Sequence, residues 1–421
     1  MSRPRDYQLV RNKNRYLVLQ TLWNRAPITR EEIVSLTGLS KPTVQTALRD
    51  FKDRGLLSEV NRRESTGGRP AVELALNPDA SYALAAWLSV PTMRAAVLDL
   101  RGNIVATAEC RLARETDTPS VLALLTEMLR DIVKKAGIGG EKICGIGIAA
   151  SGVIDAPRKI SVSIERLEGW RDVAIGEYLD RQFGLPVILM ADTQSALAAE
   201  LVLGMRRSAG REPPQSALFV LIREGLGDSF MFNGRLHDGS HGNAGFMGHM
   251  CLDVAGPVCT CGARGCLETY VSELAIIRDV VHRLAAGETS TLLKPGNISI
   301  DQVEFAYERG DPLVTQVIEV ATDRLALGIA NAIKLVQPEI VILSSSFLYT
   351  DETTLARLTA ACERYLAKMQ TDPVVIVPAS VECDAQLKGV GIITLERAVA
   401  NALELAHDDG LIEAVGLPIF A

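Results

Sequence analysis

Three cysteines and one histidine lie close together along the chain, in a pattern that suits a metal ion. Cys259, Cys261 and Cys266 form a C-x-C-x4-C motif, and His249 precedes the first of them by ten residues. Three thiolates and one imidazole satisfy tetrahedral Zn²⁺, and a closed shell of four protein ligands is typical of a structural site, because a catalytic site keeps one position open. The sequence therefore predicts one structural zinc ion per chain. The alternative is a set of free thiols.

The other five cysteines do not fit this motif. Cys110, Cys144, Cys362 and Cys383 are scattered, as small buried residues of a reduced compartment would be, and Cys251 lies near the motif without matching its spacing. No apolar run approaches the ~20 residues of a membrane helix, and the N-terminus is too polar for a secretory signal. We expect a soluble, cytoplasmic protein without a membrane partner.

The beginning of the chain is basic although the whole chain is acidic. The 421 residues have an ordinary globular composition and a net charge of −7, which excludes collagen-like and disordered classes and predicts about two to four domains. Residues 1–70 contain fourteen Lys and Arg against seven Asp and Glu, so they carry +7 and the remainder carries −14. A basic segment on an acidic body is typical of contact with a polyanion. The alternative is a solvated basic surface without a partner.

Three helices are predicted in this basic segment. The first ends before Pro27, the second is capped by Thr29 and ended by Gly38, and the third is capped by Ser40. A helix, a short turn with glycine and a second helix form a helix-turn-helix, whose second helix presents its N-terminal residues to base edges in the major groove. The predicted DNA contacts on that helix are Lys41, Thr43, Gln45, Thr46 and Arg49.

Two short strands around a polar, glycine-rich loop follow the third helix and predict a wing. Arg62, Arg63 and Arg69 in this region could contact the DNA backbone or enter a narrow minor groove. Residues 1–78, called the head below, are therefore predicted to form a winged helix-turn-helix domain that binds double-stranded DNA. The alternative is a small helical module that binds protein.

The rest of the chain alternates between strand and helix patterns. Apolar strands at Lys142–Ala150 and Pro186–Met190 are of the type that is buried on both faces, and the pattern restarts near Ala217. This predicts an α/β body at residues 79–421 with two lobes and a cleft between them. The predicted first lobe comprises residues 79–190 and a C-terminal helix at 398–421, and the second comprises 191–397.

At the cysteine motif the sequence resembles the ROK family of repressors, open reading frames and sugar kinases. That family is marked by Glu-x-Gly-His followed by C-x-C-G-x-x-G-C-x-E, and here Gly248, His249 and the stretch Cys259 to Glu268 match the second element and half of the first. The resemblance extends from about Tyr82 to Ala398, and the head ahead of it is similar to the repressor branch. It implies an α/β fold with an N-terminal winged helix-turn-helix and a two-lobed actin-like, ribonuclease H-like ATPase-fold domain.

Departures from the kinase pattern concern the nucleotide. The D-x-G-G-T turn that holds ATP in the kinases corresponds to residues 87–91, Trp-Leu-Ser-Val-Pro, and the G-T-G-x-G-G-G turn corresponds to residues 223–229. In the second turn Glu224 and Asp228 are expected to repel phosphate. The later Gly-Gly is Ser344-Ser345. We expect no ATP binding and no enzymatic activity.

The sugar pocket that the resemblance implies is only half retained. Asp192 matches the general base of the kinases and is expected to be inactive here, while Phe246, Ala191 and Arg166 replace a Glu and two Asn of the family pattern. The candidate ligand-binding residues are Ser151, Gly152, Arg166, Asp192, Phe246, His249 and Glu268. Either the pocket is adapted to another ligand, such as an acidic sugar derivative held by arginine, or it has lost its small-molecule role.

Together these features predict a transcriptional regulator, a repressor of carbohydrate uptake or catabolism genes. A homodimer or tetramer would bind an inverted-repeat operator through two heads, and a carbohydrate-like effector would control it. The alternatives are a sugar kinase with an added DNA-binding head and a regulator whose body binds a protein.

Overall fold

The computed structural model describes residues 4–63, 71–204, 214–240, 242, 244–345, 347–366, 373–381 and 384–403. The chain divides into two compact units: unit 1 contains residues 1–213, 238–243 and 381–421, and unit 2 contains residues 214–237 and 244–380. The expected α/β class is confirmed. Among the described residues, none of the helices combines the length and the apolar character needed to span a bilayer.

The head begins unit 1 and has the predicted order of three helices and a wing. Its elements are α1 Pro4–Arg25, β1 Ile28–Thr29, α2 Arg30–Thr37, α3 Lys41–Asp53, β2 Leu57–Arg63 and β3 Ala71–Leu76. The strands form an antiparallel sheet in the order β1-β3-β2. Thr29 and Glu32 form a capping box at α2, and Gly38 ends that helix with a φ of +65°. Buried Leu22, Ile33 and Phe51 make its small core.

Two sheets follow in unit 1. Their strands are β4 Tyr82–Leu88, β5 Thr92–Asp99, β6 Ile104–Arg111, β7 Ile143–Ala150, β8 Val153–Asp155, β9 Ile160–Ser163, β10 Arg171–Val173 and β11 Val187–Ala191. The larger sheet has the order β11-β7-β4-β5-β6, with β4, β7 and β11 parallel, and the smaller has the order β10-β9-β8. The helices are α4 Thr118–Ala136, α5 Ile175–Phe183 and α6 Asp192–Ala199, which continues into a π-helical turn at Glu200–Gly204.

Unit 2 contains a second five-stranded sheet and its helices. The strands are β12 Ala217–Ile222, β13 Leu226–Phe232, β14 Arg235–Leu236, β15 Ile340–Ser344 and β16 Ile376–Pro378, in the order β14-β13-β12-β15-β16. The helices are α7 Glu268–Val271, α8 Glu273–Ala285, α9 Ile300–Glu308, α10 Pro312–Val336, α11 Phe347–Thr350 and α12 Glu352–Leu366. Every residue of β12 is buried, as a central strand requires.

The last helix, α13 Ala385–Ala402, returns to unit 1 and packs on β4, β7 and α6. The sequence predicted a C-terminal helix at 398–421, but the helix starts earlier, and residues 404–421 lie outside the described part. Gly389 allows the close approach: a Cβ there would lie 1.7 Å from the carbonyl oxygen of Ser195 in α6. Helices α6 and α13 therefore both belong to unit 1, whereas the sequence placed residues 191–397 in the second lobe.

Candidate functional site

The predicted metal ligands come together in unit 2. The ligand atoms of His249, Cys259, Cys261 and Cys266 all lie within 4.8 Å of one another. Nδ1 of His249 lies 3.6 Å from Sγ of Cys259, and the sulfur atoms of Cys261 and Cys266 are 3.7 Å apart. Two thiolates on one tetrahedral zinc, each bonded at about 2.3 Å, lie about 3.8 Å apart. The four side chains therefore have the spacing of a single four-coordinate ion.

Glycines and backbone hydrogen bonds fold the cysteine loop to this spacing. Gly265 has a φ of +65°, and a Cβ there would lie 1.7 Å from the carbonyl oxygen of Asp253, so no larger residue fits. The amide of Cys259 donates to Ala263 at 2.8 Å, which closes the turn between the ligands. Cys251 pairs with the backbone of Cys266 but is not part of the ligand group. Three of the four cysteines in this loop therefore belong to the candidate ligand group.

Glu268 links the cysteine cluster to the turn before β13. One of its oxygens lies 3.9 Å from Sγ of Cys259, and the other accepts a hydrogen bond of 2.9 Å from the amide of Leu226. Gly225 leaves room for this carboxylate, since a Cβ would lie 2.8 Å from it. Glu268, predicted from the resemblance as a ligand-binding residue, therefore also shapes the backbone of its own unit.

Phe246 is exposed at the surface of this region and lies beside the partly buried His249. The Phe246 side chain is 49% exposed, and its ring stacks on the imidazole of His249 with centroids 6.2 Å apart. An exposed aromatic face next to polar groups is a surface on which the apolar face of a ring-shaped ligand can pack. Three predicted ligand-binding residues, Phe246, His249 and Glu268, thus lie together in unit 2.

Asp228 has a different role from the one that the sequence suggested. Its side chain is 1% exposed, and Oδ1 accepts a hydrogen bond of 2.7 Å from the amide of Met247, in the turn that carries His249. Burial raises the pKa of Asp228 to about 7. The expectation that this carboxylate repels phosphate is wrong, because it points into unit 2 and holds the Met247–His249 turn. Sequence reasoning missed this role because the partner lies nineteen residues away.

Asp192 lies at the start of α6 in unit 1, with two hydrogen-bond donors around it. Its Oδ2 accepts from the hydroxyl of Ser151 at 2.5 Å and from the indole nitrogen of Trp87 at 3.4 Å. Burial raises the pKa of Asp192, and these hydrogen bonds oppose the effect. Ser151 was predicted as a ligand-binding residue. Trp87 lies in residues 87–91, for which the resemblance suggests only a correspondence to a phosphate turn of the kinases, and no sequence signal links it to Asp192.

The remaining ligand-binding candidates of unit 1 lie near the small sheet. Gly152 has a φ of +87°, and a Cβ there would lie 2.3 Å from the carbonyl oxygen of Ser163. Glycine is therefore required at this turn. Arg166 lies partly buried in the turn between β9 and β10. The predicted ligand residues consequently divide between the units, with Ser151, Gly152, Arg166 and Asp192 in unit 1.

The predicted DNA contacts share one face of α3. Ser40 caps the helix, and its hydroxyl lies 2.8 Å from that of Thr43. The side chains of Lys41, Gln45, Thr46 and Arg49 are exposed, while Val44, Leu48 and Phe51 on the opposite face are buried. Arg62 and Arg63 belong to β2, and Arg69 lies outside the described residues. Helix α3 therefore presents a polar and basic surface on this face.

Comparison with known proteins agrees with this architecture. The chain is 25% identical over 392 residues to the xylose repressor of Bacillus spizizenii. The aligned region covers 93% of this chain and 97% of the relative. It is also 25% identical over 404 residues to the DNA-binding transcriptional dual regulator NagC of Escherichia coli (strain K12), covering 96% of this chain and 97% of the relative.

Solved structures are also similar to this chain. A ROK family transcriptional regulator, a homolog of the E. coli MLC protein, superposes with a TM-score of 0.76 at 25% identity over 97% of this chain and 99% of its own. A ROK family glucokinase from Streptomyces griseus shares the fold, with a TM-score of 0.64 at 21% identity over 74% of this chain and 98% of its own. The ROK family model matches residues 90–397, well over half of the sequence. The chain belongs to the ROK family.

Proposed function

We propose that this protein is a sugar-responsive transcriptional repressor that controls genes of carbohydrate uptake or catabolism. The proposal rests on one observation: a winged helix with an exposed polar and basic face precedes a ROK body in the same chain. Relatives that match more than nine-tenths of the chain are a xylose repressor and NagC, a DNA-binding transcriptional dual regulator. These two relatives support a regulator in which the head and the ROK body act together.

DNA binding is the first property to test. Full-length protein is used to select duplexes from random-sequence DNA, and the affinity of the enriched duplex is measured at several salt concentrations. Lys41 and Arg49 are exposed on α3 in a head with a net charge of +7 over residues 1–70, so affinity should fall steeply as salt rises. Failure of the wild-type protein to enrich any sequence would refute the proposal.

The operator is proposed to be an inverted repeat that is bound by a homodimer or tetramer. Two identical heads related by a two-fold axis read two half-sites, separated by whole helical turns. Sedimentation of the protein alone measures how many chains associate. Sedimentation with the selected duplex measures how many chains bind each duplex. A monomer bound to a single site would overturn this part.

The effector is proposed to be a sugar or an acidic sugar derivative. In unit 2, Phe246 offers a face for a sugar ring. Within unit 1, Arg166 offers a charged group for an acidic ligand and Asp192 offers a hydrogen-bonding carboxyl group. A thermal-shift screen of neutral sugars, sugar acids and sugar phosphates tests this, since a ligand at 100 times its Kd stabilises a protein by about 2.7 kcal/mol. If no compound shifts the transition, a body that binds a protein partner becomes the better hypothesis.

Loss of kinase activity is part of the proposal. Residues 87–91 lack the aspartate and the glycines of the D-x-G-G-T turn that holds ATP in ROK kinases, and Glu224 adds an acid to the second phosphate turn. A carboxylate beside a phosphate costs electrostatic free energy. A coupled assay of ATP consumption over a sugar panel separates this hypothesis from a kinase with an added head. Turnover with any sugar would favour the kinase.

Zinc is the proposed occupant of the cluster formed by His249 and the three cysteines of the motif. Thiolate and imidazole donors at these spacings suit Zn²⁺, and four protein ligands leave no position for a substrate. The ion would hold the cysteine loop and orient His249 beside Phe246.

A further inference from the structure

Helix α13 contacts both the head and the helix that carries Asp192. All of these elements lie in unit 1. The central part of α13 packs on β4, β7 and α6, and its last turns reach α1 and the residue after α3. A rigid helix between two sites can transmit a displacement from one to the other.

The first contact with the head is made by Tyr16 of α1, whose hydroxyl donates a hydrogen bond to the carboxyl group of Glu396. Tyr16 is 4% exposed, and the residues before Glu396 on α13, from Ile392 to Leu395, are buried. Burial raises the pKa of Glu396 to about 7. A carboxyl group in such surroundings is costly unless it is hydrogen-bonded, so the pair fixes α1 against α13.

The second contact with the head involves the end of the recognition helix. Nη1 of Arg54 donates to the carbonyl oxygen of Ala402 at 2.7 Å, and its Nε donates to Asp50 of α3 at 3.1 Å. Asp50 also pairs with Arg15 of α1. The carbonyl at the end of α13 is thereby connected to both helices that set the orientation of the recognition face.

The other end of α13 is locked to α6. The hydroxyl of Ser195 donates to the carbonyl oxygen of Gln386 at 2.5 Å and accepts from the amide of Val390 at 2.7 Å. The backbones touch at Gly389, where a Cβ would lie 1.7 Å from the carbonyl oxygen of Ser195. Helix α6 begins at Asp192. A shift of Asp192 on ligand binding would therefore move α6 and α13 together.

We propose that α13 transmits the state of the Asp192 site to the DNA-binding head, and that Glu396 is the positioning residue through which α13 holds Tyr16 of α1. This inference rests on the proposed function as a repressor. The head is held by named contacts at two points, so a displacement of α13 changes the orientation of α3 without altering any group that contacts DNA. Operator affinity then depends on the position of α13.

The test compares Tyr16→Phe, Glu396→Leu and Glu396→Gln with the wild-type protein on the duplex that the wild type selects. We expect the first two to bind at least fivefold more weakly, and Glu396→Gln to bind within twofold of wild type, because its side-chain oxygen still accepts from Tyr16. The binding-competent fraction and the salt dependence should stay unchanged, since neither residue is placed to contact phosphate. A merely structural role would instead reduce the competent fraction.

Tyr349→Phe is the matched control. Tyr349 is 1% exposed in unit 2 and donates to the carbonyl oxygen of Val271 at 2.8 Å, so this variant loses a comparable buried hydrogen bond far from α13 in sequence. It should retain operator affinity. Wild-type affinity in both Tyr16→Phe and Glu396→Leu, or an equal loss in Tyr349→Phe, would overturn the inference.

Hydrogen exchange of the full-length protein gives a readout that needs no DNA. Exchange of the α1 amides should rise in Tyr16→Phe and Glu396→Leu, and also in Ser195→Ala, which loosens α6 from α13 without touching the head. Unchanged α1 exchange in Ser195→Ala would refute transmission through α13. If the wild type selects no duplex, the proposed function fails, and this experiment still decides whether α13 holds the head.

Discussion

At the scale of single residues, the same type of side chain has different roles according to its surroundings. Asp192 accepts hydrogen bonds from two side chains, Ser151 and Trp87, and Asp228 accepts from a backbone amide inside unit 2. Glu268 lies between a cysteine thiol and the Leu226 amide. Each carboxylate thus orders a different group, and the resemblance to ROK kinases predicts a sugar contact for Asp192 and Glu268.

Asp228→Ala is expected to weaken the metal site without removing a ligand. The variant leaves the Met247 amide without its acceptor, which should cost about 1–3 kcal/mol of stability. The turn that carries His249 then loses its support, so zinc affinity should fall about 10- to 100-fold, as for other residues that orient metal ligands. Competition with a chelating dye measures the affinity, and thermal unfolding measures the stability.

Asp311→Ala provides the control for this variant. Asp311 is buried in unit 2, where it caps α10 and accepts hydrogen bonds from Ser290 and Thr291. Its loss should destabilise the protein while leaving zinc affinity unchanged. Equal zinc affinities in Asp228→Ala and the wild type would contradict the positioning role of Asp228.

At the scale of elements, the cysteine loop was predictable and α13 was not. The four candidate metal ligands are close in sequence, so their spacing predicted the group that the structure brings together, and the caps Thr29 and Ser40 predicted where the helices of the head begin. The predicted C-terminal helix at 398–421 misses most of α13, in which Gly389 and Gly391 disfavour a helix locally. Packing against α6 outweighs that preference, and such tertiary contacts leave no local pattern. Trp87 and Asp228 escaped prediction for the same reason.

Removal of one metal ligand should unfold the cysteine loop selectively. Cys261→Ser lacks one of four donors, so we expect loss of bound zinc and a lower melting temperature, since a structural zinc contributes directly to folding. Cys251→Ser is the control, because Cys251 is also exposed in this loop but lies outside the ligand group. Metal analysis of both purified variants decides the question: full zinc content in Cys261→Ser would rule out the four-ligand site.

At the scale of the whole molecule, the distribution of charge matches the different ligands proposed for the two parts of the chain. Residues 1–70, which make up most of the head, carry +7 and belong to the part proposed to bind DNA, whereas the remaining residues carry −14 and include the part proposed to bind a small ligand. Burial raises the pKa of two carboxyl groups, Asp228 in unit 2 and the partly buried Glu396 in unit 1, to about 7. Each lies at a contact that orders another part of its unit, so the stability of both units depends on pH near neutrality.

Glu396→Gln should make stability less dependent on pH. The folded protein raises the pKa of Glu396 from 4.5 to about 7, mainly through burial, while Tyr16 and Arg397 oppose that shift. The folded state therefore favours the protonated acid, and its contribution to stability is fully present below pH 4.5 and is lost as the pH rises through about 7. Glutamine is neutral throughout, so the wild type should lose more stability than the variant between pH 5 and pH 8.

The difference in stability loss between the two proteins is expected to be on the order of 2 kcal/mol, at about 1.4 kcal/mol per pKa unit with allowance for partial solvent exposure. Denaturant unfolding at pH 5, 6, 7 and 8 measures it, and because Asp228 titrates similarly in both proteins, its contribution cancels in the comparison. Parallel stability curves for the two proteins would show that Glu396 is ionised at pH 5 in the folded state, and that the head is held by a charged contact.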